Sequence, residues 1–252
     1  MTIHSPLPLE ETDTNWRFET KYRINISQYL ALRNALTPYL KSDTFTQKAS
    51  GNKYLVRSLY FDTWDYKLYN EKIDGVCDRM KFRIRTYGIS REHHPDIRVE
   101  IKVRKGNIIE KYGAFVSHDQ EKYFMKSQDW LPCDDPVLME FERYVHKWSL
   151  LPKTLVQYQR EGYQSRAHEE LRLTFDHQIT SATSKELFPE TLFWHRHHLS
   201  QIVLEIKHKN RVPLWMNELI QNFGLKVFSN SKYTNSIEIA QRTAIDSSTY
   251  FL

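Results

Sequence analysis

Cysteine and glycine are both scarce in this 252-residue chain, which contains 2 cysteines and 7 glycines. Cys77 and Cys133 do not form a CxxC pair, so we expect a reduced, cytoplasmic protein with no disulfide framework and no zinc site. The few glycines form no phosphate-binding P-loop, no dinucleotide-binding GxGxxG turn and no Gly/Ser linker. The kinase-type catalytic loop is missing as well, which excludes the common nucleotide-binding enzyme classes.

Long apolar runs are also missing, and none approaches the roughly 18 residues that a membrane-spanning helix needs. The opening stretch, MTIHSPLPLEETDTNW, has neither a basic segment nor an apolar core and does not resemble a secretory signal. The composition is otherwise that of a globular protein, with 40% hydrophobic and 27% charged residues. A net charge of +5 suits an anionic partner, but no nucleic-acid-binding signature accompanies it, so no nucleic-acid partner is expected.

A single domain is the simplest organisation, because the chain contains no linker and no internal repeat. Residues 1–14 are polar and contain prolines, which predicts a flexible N-terminal tail. Residues 15–243 would then form the folded domain, and residues 244–252 would form a C-terminal tail.

Strict alternation of apolar and polar residues, which is typical of β-strands, recurs along most of this domain. It is found in WRFETKYRI (16–24), DRMKFRIRTYG (78–88), IRVEIKVR (97–104), LRLTFD (171–176) and IVLEIKHK (202–209). Further strands are predicted at 54–62, 111–116 and 155–161. Helices are predicted at 26–40, 118–126, 136–149 and 213–223, where capping residues, prolines and glycines mark the ends.

The polar faces of these strands are unusual because they consist mainly of arginine and lysine, with one or two carboxylates each. One interpretation is an antiparallel sheet with a charged face in water. The other is a closed antiparallel barrel whose interior is the charged face and whose apolar outside is covered by helices. Buried unpaired cations are costly, so such a lumen must hold a highly charged anion, and arginine suits phosphate oxygens. Lys81, Arg83 and Arg85 would then line a tunnel for phosphates.

The few carboxylates among the cations of these faces indicate a divalent metal ion. A carboxylate among phosphate-binding cations is repelled by the ligand unless a metal ion lies between them, and Mg²⁺ and Mn²⁺ prefer carboxylate and phosphate oxygens. Glu205 is the favoured metal ligand. Glu100 and Glu19 are further candidates, for which a salt bridge to a neighbouring lysine is an equal alternative.

Eight segments follow one another in an order that matches a known family. They are RFETKYRI, SLYFDT, KIDGVCDRMKFRIRTYG, VEIKVRKGNIIEKYGAFVS, QYQREGY, LRLTFDHQI, VLEIKHK and SKYTNSIEIA. Together they resemble the VTC domain, the polyphosphate polymerase domain of the CYTH or triphosphate tunnel metalloenzyme superfamily. The resemblance covers nearly the whole chain and implies an α+β fold, an antiparallel β tunnel barrel of about eight strands with a basic lumen and helices packed outside.

The resemblance also implies an activity, the transfer of the terminal phosphoryl group of ATP to a growing polyphosphate chain, with Mn²⁺ or Mg²⁺ as cofactor. The catalytic cations that it implies are Lys21, Arg83, Arg85, Lys102, Arg160, Arg172 and Lys207. Its implied substrate contacts are Lys111, Tyr158 and Lys232, and its metal ligand is Glu205. Arg17 stands in RFETK where the wider superfamily has an acid, which matches the VTC branch and argues against a plain triphosphatase.

Two other functions stay open at this point. One is a non-catalytic module that holds polyphosphate or another anion and partners a membrane protein, and the other is a triphosphate hydrolase. The retained Glu205 favours the catalytic interpretations, because a binding module needs no metal carboxylate. Trp64 and Tyr66 are candidates for stacking on a nucleotide base, although a packing role is favoured for both.

Overall fold

The computed structural model describes residues 18–88, 96–106, 108–168, 170–209 and 211–249, with side chains as far as residue 243. The predicted tail at 1–14 lies outside the described residues. The strands are Phe18–Asn25 (β1), Leu40–Ser42 (β2), Tyr54–Asp62 (β3), Arg79–Thr86 (β4), Ile97–Lys105 (β5), Ile108–Val116 (β6), Leu151–Ser165 (β7), Arg172–Thr183 (β8), His195–Arg196 (β9) and Gln201–His208 (β10). The helices are Ile26–Leu36 (α1), Thr44–Lys48 (α2), Lys67–Ile73 (α3), His118–Ser127 (α4), Pro136–Trp148 (α5), Leu214–Asn222 (α6) and Lys232–Thr249 (α7).

One antiparallel sheet contains all of these strands. Eight of them follow each other in the order β1-β10-β8-β7-β3-β4-β5-β6, while the short strands β2 and β9 pair with β7 and β8. The sheet is curled, so that each of the eight strands has a concave and a convex face. The predicted α+β fold, with about eight antiparallel strands around a basic interior, is therefore confirmed.

The apolar residues of the alternating strands lie on the convex face, where most helices pack. Phe82 of β4 is fully buried and contacts Phe141, Tyr144 and Trp148 of α5 with its ring. A second apolar cluster joins β1, β8 and β10 to α1 and α6. Burial of a large apolar side chain contributes about 2 kcal/mol, so these two clusters hold the sheet in its curled form.

The two ends of the strand path are not joined as a closed barrel would require. No ladder pairs β1 with β6 in the described part of the chain. Instead, the irregular segment 227–231 lies beside β1, where Phe228 N donates to Lys21 O at 3.0 Å. Lys81 of β4 donates to Ser231 Oγ of the same segment at 2.8 Å. This segment therefore links β1 to β4 across the concave side of the sheet.

Helix α7 is an exception to the prediction that the helices pack outside. Its first turns lie on the concave face, where Tyr233 and Ile237 pack with Val56, Val156 and Val203. This end of the concave face is apolar, so it needs a cover, and the helix provides it. The helix continues to Thr249, so the segment predicted as a tail from residue 244 is helical up to that residue.

The first helix is shorter than predicted. It ends at Leu36, with Thr37 as its C-cap, whereas the sequence pattern extended it to residue 40. Pro38 explains the difference, because proline lacks a backbone N–H and its ring clashes with the preceding turn of a helix. None of the helices in the described part of the chain combines the length and apolarity needed to cross a bilayer.

Tyr233 ties α7 to the sheet, which gives a test of how the helix is held. Its buried hydroxyl donates to the fully buried carboxylate of Asp62, which also accepts from Thr63 N at 2.7 Å and Leu68 N at 2.8 Å. We expect Tyr233→Phe to lower the free energy of unfolding by about 1–2 kcal/mol, because the carboxylate loses a buried donor. Chemical denaturation measures this, and hydrogen exchange of α7 should accelerate in parallel.

Tyr123→Phe is the matched control, because Tyr123 is exposed on α4. Equal stability losses in the two variants would contradict the proposed anchoring of α7 by Tyr233.

Candidate functional site

The concave face of the sheet encloses a cavity of about 550 Å³. Side chains alternate along a strand, so every second residue of each wall strand points inward. The lysines and arginines that line it are Lys21, Lys72, Arg79, Lys81, Arg83, Arg85, Lys102, Arg104, Lys111, Arg160, Lys207 and Lys232. The carboxylates that line it are Glu19, Glu100 and Glu205. Cations thus outnumber carboxylates four to one in this cavity, which we call the lumen.

The structure brings together nearly all of the residues that the sequence singled out. Those that line the lumen are Lys21, Arg83, Arg85, Lys102, Lys111, Tyr158, Arg160, Lys207, Lys232, Glu19, Glu100 and Glu205. Arg172 does not line the lumen, although it lies in register with Lys207. It is exposed because it is the first residue of β8, at the end of an interior strand of the sheet.

Glu100 is the counter-ion of the middle layer of the lumen. Its carboxylate is 1% exposed and lies 2.5 Å from Arg83 Nε and 3.7 Å from Arg85 Nη1, and it also pairs with Lys111. Burial favours the protonated acid, but these three cations outweigh it and hold the pKa of Glu100 well below its usual value. A carboxylate surrounded by three cations has little need of a metal ion, so the salt-bridge interpretation fits Glu100 better.

Glu205 and Glu19 form a second group, around Lys21. Lys21 Nζ lies 2.6 Å from Glu19 Oε1 and 3.9 Å from Glu205 Oε2, while Lys207 Nζ lies 2.6 Å from Glu205 Oε1. Burial and Glu205 raise the pKa of Glu19, but Lys21, Lys102 and Lys207 outweigh them and lower it to about 2. Burial also opposes ionisation of Glu205, but Lys207 and Lys21 keep its pKa well below the usual value. Both carboxylates are therefore ionised at neutral pH, as metal ligands must be.

The oxygens around Glu205 suit a hard divalent cation. Thr174, its register partner on β8, has a buried hydroxyl with no hydrogen-bond partner in the described part of the chain. Carboxylate and hydroxyl oxygens are the donors that Mg²⁺ and Mn²⁺ accept, usually together with substrate phosphates. Glu205, with Glu19 beside it, therefore fits such an ion.

A ready-made cluster of three His, Cys, Asp or Glu ligand atoms occurs once among the described residues, outside the lumen. It consists of Asp129, Glu142 and His146, on α5 and the loop before it. His146 already contacts Asp129 at 2.9 Å, and Glu142 accepts from Trp130 N at 2.6 Å. Among the described residues, the lumen itself contains no such cluster of three ligand atoms. An ion bound there would therefore need phosphate oxygens of the ligand to complete its coordination.

Several lumen cations have no carboxylate within 4.0 Å among the described residues. Burial, together with Lys102, Lys21, Arg79 and Lys72, lowers the pKa of Lys81 well below its usual value. Burial and Arg104 likewise lower the pKa of Arg79. The lumen therefore contains positive charge that the described residues leave unneutralised.

The sequence analysis missed Asp176 as a site residue. Asp176 is fully buried and accepts from Arg160 Nε at 2.6 Å and Nη2 at 2.9 Å, and from Lys232 Nζ at 2.5 Å. The alternation in LRLTFD places it on the polar face of β8, so a signal was present. Ser231 could not be found in this way. It lies in an irregular segment, where no periodicity of the sequence predicts its contact with Lys81.

Comparison with known proteins adds a family and a fold. The family model of the VTC domain matches residues 16–241 of the chain. No curated protein sequence matches it. A candidate adenylate cyclase from Bacillus halodurans is 14% identical and has a TM-score of 0.50, with 84% of this chain and 92% of that chain covered. The PH1819 protein from Pyrococcus horikoshii OT3 is 12% identical and has a TM-score of 0.49, with 89% and 99% covered. The likeness to the Bacillus protein shows a shared fold.

Asp176 gives a pH-dependent test of the lumen. Burial raises its pKa, but Arg160 and Lys232 outweigh burial and lower the pKa to about 2 from 3.8. A carboxyl whose pKa is depressed on folding stabilises the protein above its unfolded pKa, and this stabilisation is lost as the pH falls toward the folded pKa. We expect Asp176→Asn to lower the free energy of unfolding by about 3 kcal/mol at pH 7, and by much less at pH 2.

Urea denaturation at the two pH values measures this difference. Asp134→Asn is the control, because Asp134 is exposed and its replacement should change little at either pH. A loss of stability by Asp176→Asn that is equal at pH 7 and pH 2 would contradict the ion-pair assignment.

Proposed function

The chain belongs to the VTC domain family, and we propose that it is a metal-dependent polyphosphate polymerase. In this proposal, the terminal phosphoryl group of ATP is transferred to the end of a polyphosphate chain that lies in the lumen. The product ADP then leaves, and the polymer is one phosphate longer.

The observation that carries the proposal is the unneutralised positive charge of the lumen. Among the described residues, twelve cations and three carboxylates line a cavity of about 550 Å³, and Lys81 is partly buried with a serine hydroxyl as its polar partner. Desolvated cations are stable only with compensating negative charge. One orthophosphate brings too little charge to match this excess, whereas a polyphosphate brings about one negative charge per phosphate along its length.

Phosphoryl transfer depends on positioning and charge neutralisation more than on covalent help from the protein. The terminal phosphate of the acceptor is already anionic near neutral pH, so its oxygen attacks the γ-phosphorus without a strong general base. The bond from the γ-phosphorus to the β,γ-bridging oxygen breaks, and the electron pair remains on ADP. Arg83, Arg85, Lys102, Arg160 and Lys207 would hold donor and acceptor in line and balance the charge.

The remaining predicted residues take supporting roles in this proposal. Lys111, Tyr158 and Lys232 would contact the phosphates from the other walls, and Lys21 would do so between Glu19 and Glu205. Arg172, exposed and in register with Lys207, would attract anions at the edge of the lumen. A Mg²⁺ or Mn²⁺ ion bound by Glu205 would reduce the negative charge of the donor phosphates.

A non-catalytic polyphosphate-binding module is the second candidate. The observation that favours it is the 2.6 Å contact between Lys207 Nζ and Glu205 Oε1, since a carboxylate with its own cation does not require a metal. The two candidates differ in whether Glu205 is needed for turnover.

Glu205→Gln tests the polymerase proposal. Wild-type protein incubated with ATP, Mn²⁺ and a short polyphosphate primer should yield longer polyphosphate and ADP, resolved by gel electrophoresis and chromatography. The variant should lose metal-dependent turnover but still bind inorganic tripolyphosphate, because the cations remain. Glu218→Gln, at an exposed position of α6, is the control and should remain active.

The products distinguish the alternatives. ADP with free phosphate and no polymer would indicate a triphosphate hydrolase. Tight binding of polyphosphate by the wild type without turnover would indicate a non-catalytic binding module. Unchanged turnover in Glu205→Gln would contradict the metal-ligand role of Glu205.

Lys81 and Arg83 offer a matched pair of variants, because they face the same lumen with different partners. Lys81 has a serine hydroxyl as its partner, whereas Arg83 Nε contacts the buried Glu100 at 2.5 Å. Lys81→Met should weaken tripolyphosphate binding about tenfold without lowering stability, because it removes repulsion between cations. Arg83→Met should weaken binding and also lower the free energy of unfolding by about 3 kcal/mol, because Glu100 loses its closest arginine.

Titration calorimetry and urea denaturation of both variants measure these effects. A large loss of stability in Lys81→Met would contradict the view that this lysine is uncompensated.

A further inference from the structure

The two ends of the lumen differ in chemistry. Along the ladder between β4 and β5, the inward-facing register pairs are, in order, Arg79 with Arg104, Lys81 with Lys102, Arg83 with Glu100, and Arg85 with Arg98. Lys72, Arg79 and Arg104 line one end, which we call the cationic mouth. Tyr87 follows Arg85 on the same inward face and lines the other end.

Tyr87 belongs to a cluster of three rings that come from separate parts of the chain. Phe45 of α2 stacks on Tyr87, with ring centroids 5.0 Å apart and planes inclined by 27°. Tyr54 of β3 lies 5.4 Å from Phe45 and 6.1 Å from Tyr87, centroid to centroid. We call this cluster the aromatic mouth. Phe45 is 43% exposed, so a flat ring surface is accessible at the edge of a highly charged lumen.

The surrounding structure fixes Phe45 in this place. Asp43 caps α2 by accepting from Thr46 N at 2.7 Å, and Thr46 Oγ1 accepts from Gly162 N of β7 at 2.7 Å. Gly162 is required here, because a Cβ at that position would meet Asp43 Oδ2 at 1.8 Å. The short helix is thus joined to the sheet, and its ring is presented by a rigid element.

The rings lie next to cations that face the lumen. Tyr54 is the register partner of Arg160 across β3 and β7, and Tyr87 is two residues from Arg85 on the inward face. Tyr158 lines the same part of the lumen, with its ring 5.0 Å from the guanidinium carbon of Arg160. From the mouth inward, aromatic rings are followed by cations. A molecule with a planar ring at one end and phosphates at the other would match this order. Inorganic polyphosphate has no such ring.

We propose that the aromatic mouth is the nucleoside subsite of the lumen. The planar base of a nucleoside triphosphate stacks on an accessible face of the Tyr87–Phe45 pair, and its phosphates extend inward to Arg85 and Arg160. The donor therefore has one orientation, and the inorganic chain lies toward the cationic mouth. This inference rests on the proposed function, because it assigns the binding mode of the donor in the same lumen.

A pair of ligands that differ only by the nucleoside tests the proposal. The nucleotide is an ATP analogue with a methylene group in place of the β,γ-bridging oxygen, and the matched ligand is inorganic tripolyphosphate. Their dissociation constants are measured by titration calorimetry in Mg²⁺ buffer. We expect Tyr87→Ala and Phe45→Ala to weaken binding of the nucleotide about 5- to 100-fold, as the loss of one base-stacking ring does, and to leave tripolyphosphate binding unchanged.

Tyr123→Ala is the control, because Tyr123 is an exposed ring on α4, a helix that packs on the convex face through Phe124. Its affinities for both ligands should equal those of the wild type. Tyr87→Leu is a second variant that keeps apolar bulk but removes the flat ring, in case Tyr87→Ala unfolds. It should show the same selective loss of nucleotide binding.

The outcomes separate this inference from the proposed function. Equal losses for the two ligands would overturn the inference, because Tyr87 would then act by shaping the lumen. Unchanged nucleotide binding in all variants would also overturn it, while tight tripolyphosphate binding would still support the phosphate-binding lumen. Failure of the wild type to bind either ligand would overturn the proposed function, and the inference with it.

Discussion

The excess of partly buried positive charge inside the curled sheet is the constraint on which the other features depend. Like charges in a poorly hydrated space repel one another and lose solvation, so the fold must offset them or leave them for a ligand. Asp176 and Glu100 each neutralise two or more cations and fix their side chains in place. Lys81 and Arg79 have no carboxylate partner among the described residues. The protein thus combines a neutralised framework with charge that a polyanion can neutralise.

The carboxylates of the lumen divide into two kinds on the same physical ground. Glu100 and Asp176 are each held by arginine at hydrogen-bonding distance, which makes them part of the framework. Glu205 and Glu19 share Lys21, and Thr174 beside Glu205 has a hydroxyl without a hydrogen-bond partner among the described residues. The alternation of polar and apolar residues alone does not distinguish one glutamate of the polar faces from another. The number and type of cations around each one distinguish a counter-ion from a candidate metal ligand.

Periodicity predicted which residues face the lumen, because alternation along a strand is a local property. Arg83 and Lys102 could be placed inside in this way, and Asp176 could have been. Arg172 shares the polar face of β8, yet the exposed start of the strand keeps it out of the cavity, and such an end effect depends on the neighbouring strands. The contact of Lys81 with Ser231 and the stacking of Phe45 on Tyr87 join distant parts of the chain, so no local pattern contains them.

The pairing of the sheet edges has a mechanical consequence. On the side of the tube between the end strands β1 and β6, the described structure has side-chain contacts between β1 and β5, such as Lys102 with Glu19 at 3.5 Å, together with the segment 227–231, in place of a continuous ladder. Widening the tube along this seam would break a few polar contacts. Widening it between two paired strands would break a row of backbone hydrogen bonds. Among the described strands, the tube is therefore easiest to widen along this line, and under the proposed function a long polymer would have a lateral route into it in addition to its two ends.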